Sequence, residues 1–384
     1  VGGYARVHLR HLVDFHQRGL LQFVAVVALP VELDAETQAM VSACGARRLP
    51  SFEALRAALP ELRADLVILP TPIHLHAPMA SVLLQAGVHV FVEKPLTATV
   101  RELDELLRLE AEAKRLLAVG FQYLHAREVL ALKTALDAGA IGHVRRMSVH
   151  AAWPRSHGYY TRNDWAGRLR VANGAVFDSP VTNAMSHFVM LMLFLAGRRP
   201  GEAMAPQSVS AELYRAQRIE SFDTCVLHYA SNGTRFDFYG THSSREVERP
   251  SLIIEGTEGR AEWVQDHHAM IERGDVRRVF EAEPESATRE RMLRDVLARV
   301  RGEPTFVCTA AMAGAHVHSI AALHERGVIA DVPPAFIAQR EEDGQAFTYI
   351  ADLDRPLREA SRSGVGLREA GVPWAIAPHV IDLR

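Results

Sequence analysis

Four short apolar runs divide the first third of the chain: "LQFVAVVAL" (residues 21–29), "ADLVILPT" (64–71), "VHVFV" (88–92) and "LLAVGFQ" (116–122). Runs that stay apolar from residue to residue suit parallel strands buried on both faces. Helical patterns separate them. The clearest begins at Thr99, where Thr99 and Glu102 form a capping box and Leu103, Leu106, Leu107 and Ala111 follow on one face. Strand and helix in alternation predict a doubly wound α/β sheet over residues 1–122.

Beyond Gln122 the pattern changes. A helix over 126–138 leads into "HVRRMSVHAAW", a long polar loop and an apolar helix over 180–196. "TCVLHYASNGTRFDFYG" carries Asn232-Gly233 between two alternating runs, a hairpin signal, and "PSLIIEGTEGRAEWV" reads as a second hairpin. Residues 123–384 are therefore expected to form a separate α+β domain with an open, mostly antiparallel sheet, and the tail beyond Pro333 to wrap it in irregular and helical segments.

With 384 residues, 48% hydrophobic, and a net charge of -3, the chain is large enough for two domains and has no excess charge pointing to nucleic acid or an anionic membrane. Cys44, Cys225 and Cys308 fit no zinc or disulfide spacing, so a reducing, cytoplasmic setting is expected. The longest apolar run, 188–196, is short of the ~20 residues that cross a bilayer, and "VGGYARVHLRHL" lacks the character of a signal peptide.

That opening reads as the second half of a Gly-x-Gly-x-x-Gly/Ala turn, with Gly2 as the middle glycine, Gly3 and Tyr4 after it, and Ala5 in the third place. Such a turn lets the backbone approach a pyrophosphate at a helix N-terminus. The first glycine and its strand are absent, so a truncated chain or misplaced start is expected, with a gap in the sheet. Where a ribose-binding carboxylate would stand, strand two has Ala28. Glu32 and Asp34 follow, and Arg47 and Arg48 are candidates for a 2′-phosphate, so NAD and NADP both stay open.

In "LPTPIHLHAPM", Thr71-Pro72 ends a strand and His76 begins a helix, and one helix and strand later Glu93-Lys94-Pro95 arrives at the same carboxyl edge, where open α/β sheets bind ligands. The ordered set of the Gly-Gly-Tyr-Ala start, "TPIHLH", "AGVHVFVEKPL" and "VGFQ" resembles the glucose-fructose oxidoreductase and inositol dehydrogenase family, Gfo/Idh/MocA. The likeness is close from Gly2 to about Gly142 and looser beyond.

The resemblance implies a Rossmann domain, a C-terminal sheet used for homo-oligomerisation, and hydride transfer between NAD or NADP and a sugar, polyol or cyclitol. It implies an active-site role for Lys94, a Pro95 preceded by a cis peptide, cofactor contacts from Thr71, Pro72, His76 and Glu93, and Gln122 near the nicotinamide. The family's second motif, an aspartate four residues before a histidine, is altered here. "NGAVFDSPVTNAMSHFVML" keeps Gly174, Asp178 and His187 but has Asn183 at the fourth position before the histidine. Asn183 and His187 are expected on one helix face, with the amide orienting the imidazole. Either Asp178 supplies the missing charge or the base is weaker.

In this reading His187 is the base for the substrate hydroxyl and Lys94 stabilises the developing oxyanion. The plain alternatives are a core histidine and a solvated strand end. "WPRSHGYYTRNDWAGRLR" (153–170) mixes aromatic and arginine side chains, and Tyr160, Arg162 and Trp165 are its expected substrate contacts, against a loop pinned by aromatic anchors or a dimer contact. "IHLH", "QDHH" and "AHVHS" lack metal-site spacing, and no metal is expected. An NAD-dependent glycosidase of the same fold and a non-catalytic cofactor or metabolite sensor remain as other functions.

Overall fold

A computed structural model describes every residue except Val1, Gly2, Pro30, Val31, Leu33, Pro200, Asn232 and Arg384. The N-terminal part runs α1 (Ala5–Gln17), β1 (Ala25–Val27), α2 (Ala35–Ala43), β2 (Arg47–Leu49), α3 (Phe52–Leu62), β3 (Leu66–Leu69), α4 (Ile73–Gln85), β4 (His89–Val92), α5 (Val100–Ala113) and β5 (Leu117–Val119). All its strand pairs are parallel, as the apolar runs require. They form two pieces, β1-β2 and β3-β4-β5, with no ladder between them among the described residues. The gap expected in this sheet is therefore present.

α1 closes against the larger piece. Its Phe15, fully buried, packs with Phe91 of β4 and Ala118 of β5. The Thr99 capping box forms as predicted, with Thr99 N–H donating to Glu102 at 3.1 Å and Glu102 N–H to the Thr99 hydroxyl at 3.3 Å. On α5, Leu109 is buried while Ala111 faces solvent, a shift of the predicted stripe.

The second part runs α6 (Arg127–Asp137), β6 (Val144–Ala152), α7 (His157–Thr161), a small hairpin β7 (Arg170–Val171) and β8 (Gly174–Ala175), then α8 (Ser186–Leu195). There follow β9 (Ser208–Arg215), β10 (Thr224–Ser231), β11 (Thr234–Thr241), β12 (Glu248–Gly256), β13 (Arg260–Val264), β14 (His268–Arg273), β15 (Val276–Glu281), α9 (Glu285–Val300), α10 (Ala310–Arg326), β16 (Ile329–Asp331), β17 (Ile337–Glu342), β18 (Gln345–Ile350), α11 (Asp354–Ser363) and β19 (His379–Asp382). Ten strands make one sheet in the order β15-β14-β13-β12-β6-β11-β10-β9-β16, with β19 also on β9. The β6-β11 and β9-β16 pairs are parallel and the rest antiparallel. Both predicted hairpins form. The first turns where Ser231 pairs Thr234, with Gly233 at φ +77°, while Asn232 lies outside the described residues.

Three features depart from expectation. The apolar helix spans only Ser186–Leu195, because residues 180–185 form turns in which Ser179 bonds Thr182 and Asn183 bonds Asp178. Short polar side chains that bond locally compete with helical hydrogen bonds in this way. The tail beyond Pro333 contains the β17-β18 hairpin and the edge strand β19. With α11 it packs on the sheet's outer face, where Tyr214, Val226 and Tyr239 meet Ile350, Leu353, Leu357 and Leu367. Finally, the chain returns to its beginning: Met292, Leu293 and Val296 of α9 join the Phe15 cluster, and Cys308 accepts from Val119 N–H at 2.8 Å. Among the described residues no helix is long and apolar enough to cross a membrane.

Candidate active site

The carboxyl ends of β3 and β4 deliver two loops to one place. The Lys94-Pro95 peptide is cis. His76, buried at the start of α4, ties the loops together, with Nδ1 2.9 Å from Pro95 O and Nε2 2.7 Å from Thr71 O. Burial pushes its pKa down against the pull of these carbonyls. His76, expected as a cofactor contact, thus has both ring nitrogens taken by backbone, whereas the buried Thr71 hydroxyl has no partner.

Glu93, 5% exposed, accepts from Lys94 N–H at 3.1 Å and meets His8 Nε2 of α1 at 2.7 Å. Burial pushes its pKa up, but His8 and Lys94 outweigh this and hold it below the usual range. His8 was not foreseen; its only signal is a place on the buried face of α1 beside Leu9.

Lys94 crosses to the second part of the chain. Its Nζ donates to Asn183 O at 3.0 Å and Asn183 Oδ1 at 3.3 Å. Asn183 Nδ2 donates to Asp178 Oδ1 at 2.9 Å and to the Tyr159 hydroxyl at 3.3 Å, and Asp178 Oδ2 accepts from Gly167 N–H at 2.6 Å. The predicted pairing of Asn183 with His187 is therefore replaced by one with Lys94, because Asn183 stands in the turn ahead of α8 and not on its face. Burial depresses the Lys94 pKa, opposed by Glu93 and Asp178. Burial also raises that of Asp178.

His187 opens the first turn of α8, 7% exposed, with the rings of Phe121 and Tyr123 edge-on at 5.8 and 5.5 Å. Its Nδ1 is buried without a partner. Burial, then the charges of Lys94 and Arg289, press its pKa well below the ordinary value, so the ring is neutral. A neutral imidazole at the sheet's carboxyl edge is a proton acceptor.

Of the substrate candidates, Arg162 lies with its guanidinium carbon 3.5 Å from the Tyr159 ring centroid and 5.3 Å from that of Trp165. Tyr160 lines a small cavity together with Tyr159, Asp178, Ile219, Phe222 and His242. Tyr159, adjacent in sequence, is the tyrosine that reaches Asn183, a choice that local pattern did not reveal. Among the described residues no group of three His, Cys, Asp or Glu side chains is placed to hold a metal ion.

For a dinucleotide, the described residues fit. Gly3, at φ +55°, opens α1 with nothing within 4 Å of where a Cβ would stand, and Ala5 is buried in the first turn. Gly2 lies outside the described residues. Pro72 precedes α4, and Gln122, 3% exposed, donates to Glu285 at 3.1 Å while its Oε1 has no partner. Glu285 and Arg289 of α9 carry this link to Tyr4, whose hydroxyl accepts from Arg289 at 3.2 Å. Arg47, a candidate for a 2′-phosphate, is paired with Glu61.

A family model described as an oxidoreductase family with an NAD-binding Rossmann fold matches residues 1–121, and one for the GFO/IDH/MocA C-terminal domain matches 129–262. UDP-N-acetylglucosamine 3-dehydrogenase of Acidithiobacillus ferrooxidans is 32% identical over 264 residues, 68% of this chain and 71% of that protein. The dTDP-3,4-didehydro-2,6-dideoxy-alpha-D-glucose 3-reductase of Streptomyces violaceoruber is 33% identical over 46% of this chain and 49% of its own. With that relative and several others, the match spans about half of the relative's length. The WlbA dehydrogenase of Bordetella pertussis, solved with NADH and UDP-GlcNAcA, shares the fold at a TM-score of 0.67 and 24% identity, over 85% of this chain and 94% of that one.

Proposed function

The chain belongs to the Gfo/Idh/MocA oxidoreductase family with its NAD-binding Rossmann fold, and from that premise we propose that it transfers hydride between NAD or NADP and a secondary alcohol or ketone of a sugar or sugar-like substrate. The observation that carries this reading is the bond from Lys94 Nζ to Asn183, which brings the end of β4 to the entrance of the helix bearing His187.

Bound NAD or NADP would supply the hydride acceptor or donor. Gly3, Tyr4 and Ala5 at the start of α1 would hold its phosphates, and Thr71, Pro72 and Gln122 its nicotinamide end. The chain's own groups do the rest. His187, neutral, takes the hydroxyl proton during oxidation and returns it during reduction. Lys94 donates to the reacting oxygen as negative charge develops there. Asn183, braced by Asp178, is a positioning residue that sets where Nζ stands. Arg162 and Trp165 border the substrate, with Tyr159 in the place expected of Tyr160. The relatives act on nucleotide-linked sugars, and this favours such a substrate here.

We read the protein as cytoplasmic, in keeping with three unpaired cysteines. We also read it as a homo-oligomer, since the outer sheet face from β12 to β15 leaves Ile253 and Val279 exposed.

Mixing the protein with NAD+ or NADP+ and UDP-N-acetylglucosamine, glucose or myo-inositol, and following reduced-nicotinamide absorbance, tests the reading. We expect turnover with at least one substrate and a loss of about a hundredfold or more in Lys94→Ala and His187→Ala. No absorbance change in either direction across a broad panel of sugars and polyols overturns it.

A further inference from the structure

Two arginines, Arg155 and Arg162, gather around the tyrosine that leads through Asn183 to Lys94. Arg155, just after β6, donates its backbone N–H to His242 O at 3.0 Å, and its guanidinium carbon lies 5.5 Å from the Trp153 ring centroid and 4.9 Å from that of Tyr159. Its Nε is buried and has no partner. Arg162 rests on the same Tyr159 ring and donates to Tyr159 O at 2.6 Å. Among the described residues neither arginine forms a salt bridge. The Tyr159 hydroxyl in turn bonds Asn183, which holds Lys94.

The carboxylates nearby are already engaged. Asp178 accepts from Gly167 N–H and Asn183 Nδ2, and Glu93 accepts from Lys94 N–H and meets His8. Asp223 accepts from the N–H groups of Ala216 and Gln217 and from the Thr224 hydroxyl. Lys94, Arg155 and Arg162 are thus three positive side chains around one tyrosine. A partly buried guanidinium without a counter-ion is unfavourable, and its planar fork matches a carboxylate or phosphate.

We propose that the substrate of this site is anionic, and that Arg155 and Arg162 bind its carboxylate or phosphate group while Lys94 faces the reacting oxygen. This rests on the oxidoreductase reading for the role of Lys94, and it deepens that reading by naming a substrate class. A neutral sugar would leave Arg155 unpaired in the complex; an anionic one would neutralise it where water is scarce.

Isothermal titration of the protein, with and without NAD+, using glucuronate, glucose and UDP as probes, tests the proposal. We expect glucuronate or UDP to bind about tenfold or more tighter than glucose, as a charge-assisted pair requires. Arg155→Met should erase most of that preference and Arg155→Lys part of it. A preference for glucuronate identifies a sugar carboxylate, and one for UDP alone identifies a nucleotide diphosphate. Equal binding of all three probes, or a preference that survives Arg155→Met, overturns the proposal. Should Arg155→Met fail to fold, as judged by its melting transition, Arg162→Gln at the exposed neighbour serves instead, with an expected loss of about threefold or more. The two readings fail separately. An Arg155-dependent preference without hydride transfer to any sugar keeps the anion site and removes the oxidoreductase. Hydride transfer at equal kcat/KM for glucose and glucuronate, with UDP not bound, does the reverse.

Discussion

Lys94 Nζ donates to both oxygens of Asn183, the backbone carbonyl at 3.0 Å and the side-chain amide at 3.3 Å. A neutral acceptor thus stands where the family motif has a carboxylate. Burial keeps the lysine pKa below its ordinary value, and Asp178 opposes this from behind the amide. Asn183→Asp would set a negative charge directly against Nζ and raise that pKa. The alkaline limb of the kcat/KM profile should therefore move to higher pH. Asn183→Leu, which frees Nζ, should lower kcat about tenfold. Stopped-flow rates across pH 6–10 (about) check both.

The His8–Glu93 contact, 2.7 Å between two buried side chains, joins α1 to the end of β4. Removing His8 leaves a buried carboxylate with only a backbone N–H, so His8→Ala should cost about 3 kcal/mol or more. Glu93→Ala combined with His8→Ala should cost less than the two singly added. Denaturant unfolding of the four proteins measures the coupling.

His316 of α10 is fully buried and His324 partly so, and desolvation lowers the pKa of each to about 4. From pH 6.5 downward the unfolded chain takes up protons there that the folded chain refuses until about pH 4. Stability is therefore complete above 6.5 and falls as pH drops toward 4, by up to about 3 kcal/mol for each histidine. Melting temperature against pH should show this slope, and His316→Gln should flatten it.

Leu357 of α11 is fully buried against Tyr214, Val226 and Tyr239 on the outer sheet face. Leu357→Ala should cost about 2–5 kcal/mol. A change below about 1 kcal/mol in urea unfolding would mean that the tail does not belong to the cooperative core.

Legibility followed interaction range. The parallel strands, the Thr99 cap and both hairpins came from neighbours in sequence, through burial period, cap chemistry and turn residues. Lys94, just beyond β4, and His187, at the head of an apolar helix, were singled out by the resemblance to the family. The helix over 180–196 was overextended because apolar content masked local bonds made by Ser179 and Asn183. That Tyr159 and not Tyr160 bonds Asn183 was hidden for a different reason, since only packing distinguishes adjacent residues on a short helix.

The order of residues alone was enough to establish a parallel α/β first part and a mostly antiparallel second one. Those properties depend on side-chain period and local hydrogen bonding, which act over a few residues. Partnership was decided by the tertiary fold: Glu93 with His8 across 85 residues, Lys94 with Asn183 across 89, and Arg155 and Arg162 on the Tyr159 ring with no salt bridge among the described residues. Electrostatic pairing in a buried site depends on distances between distant segments, and those exist only after the chain has closed on itself.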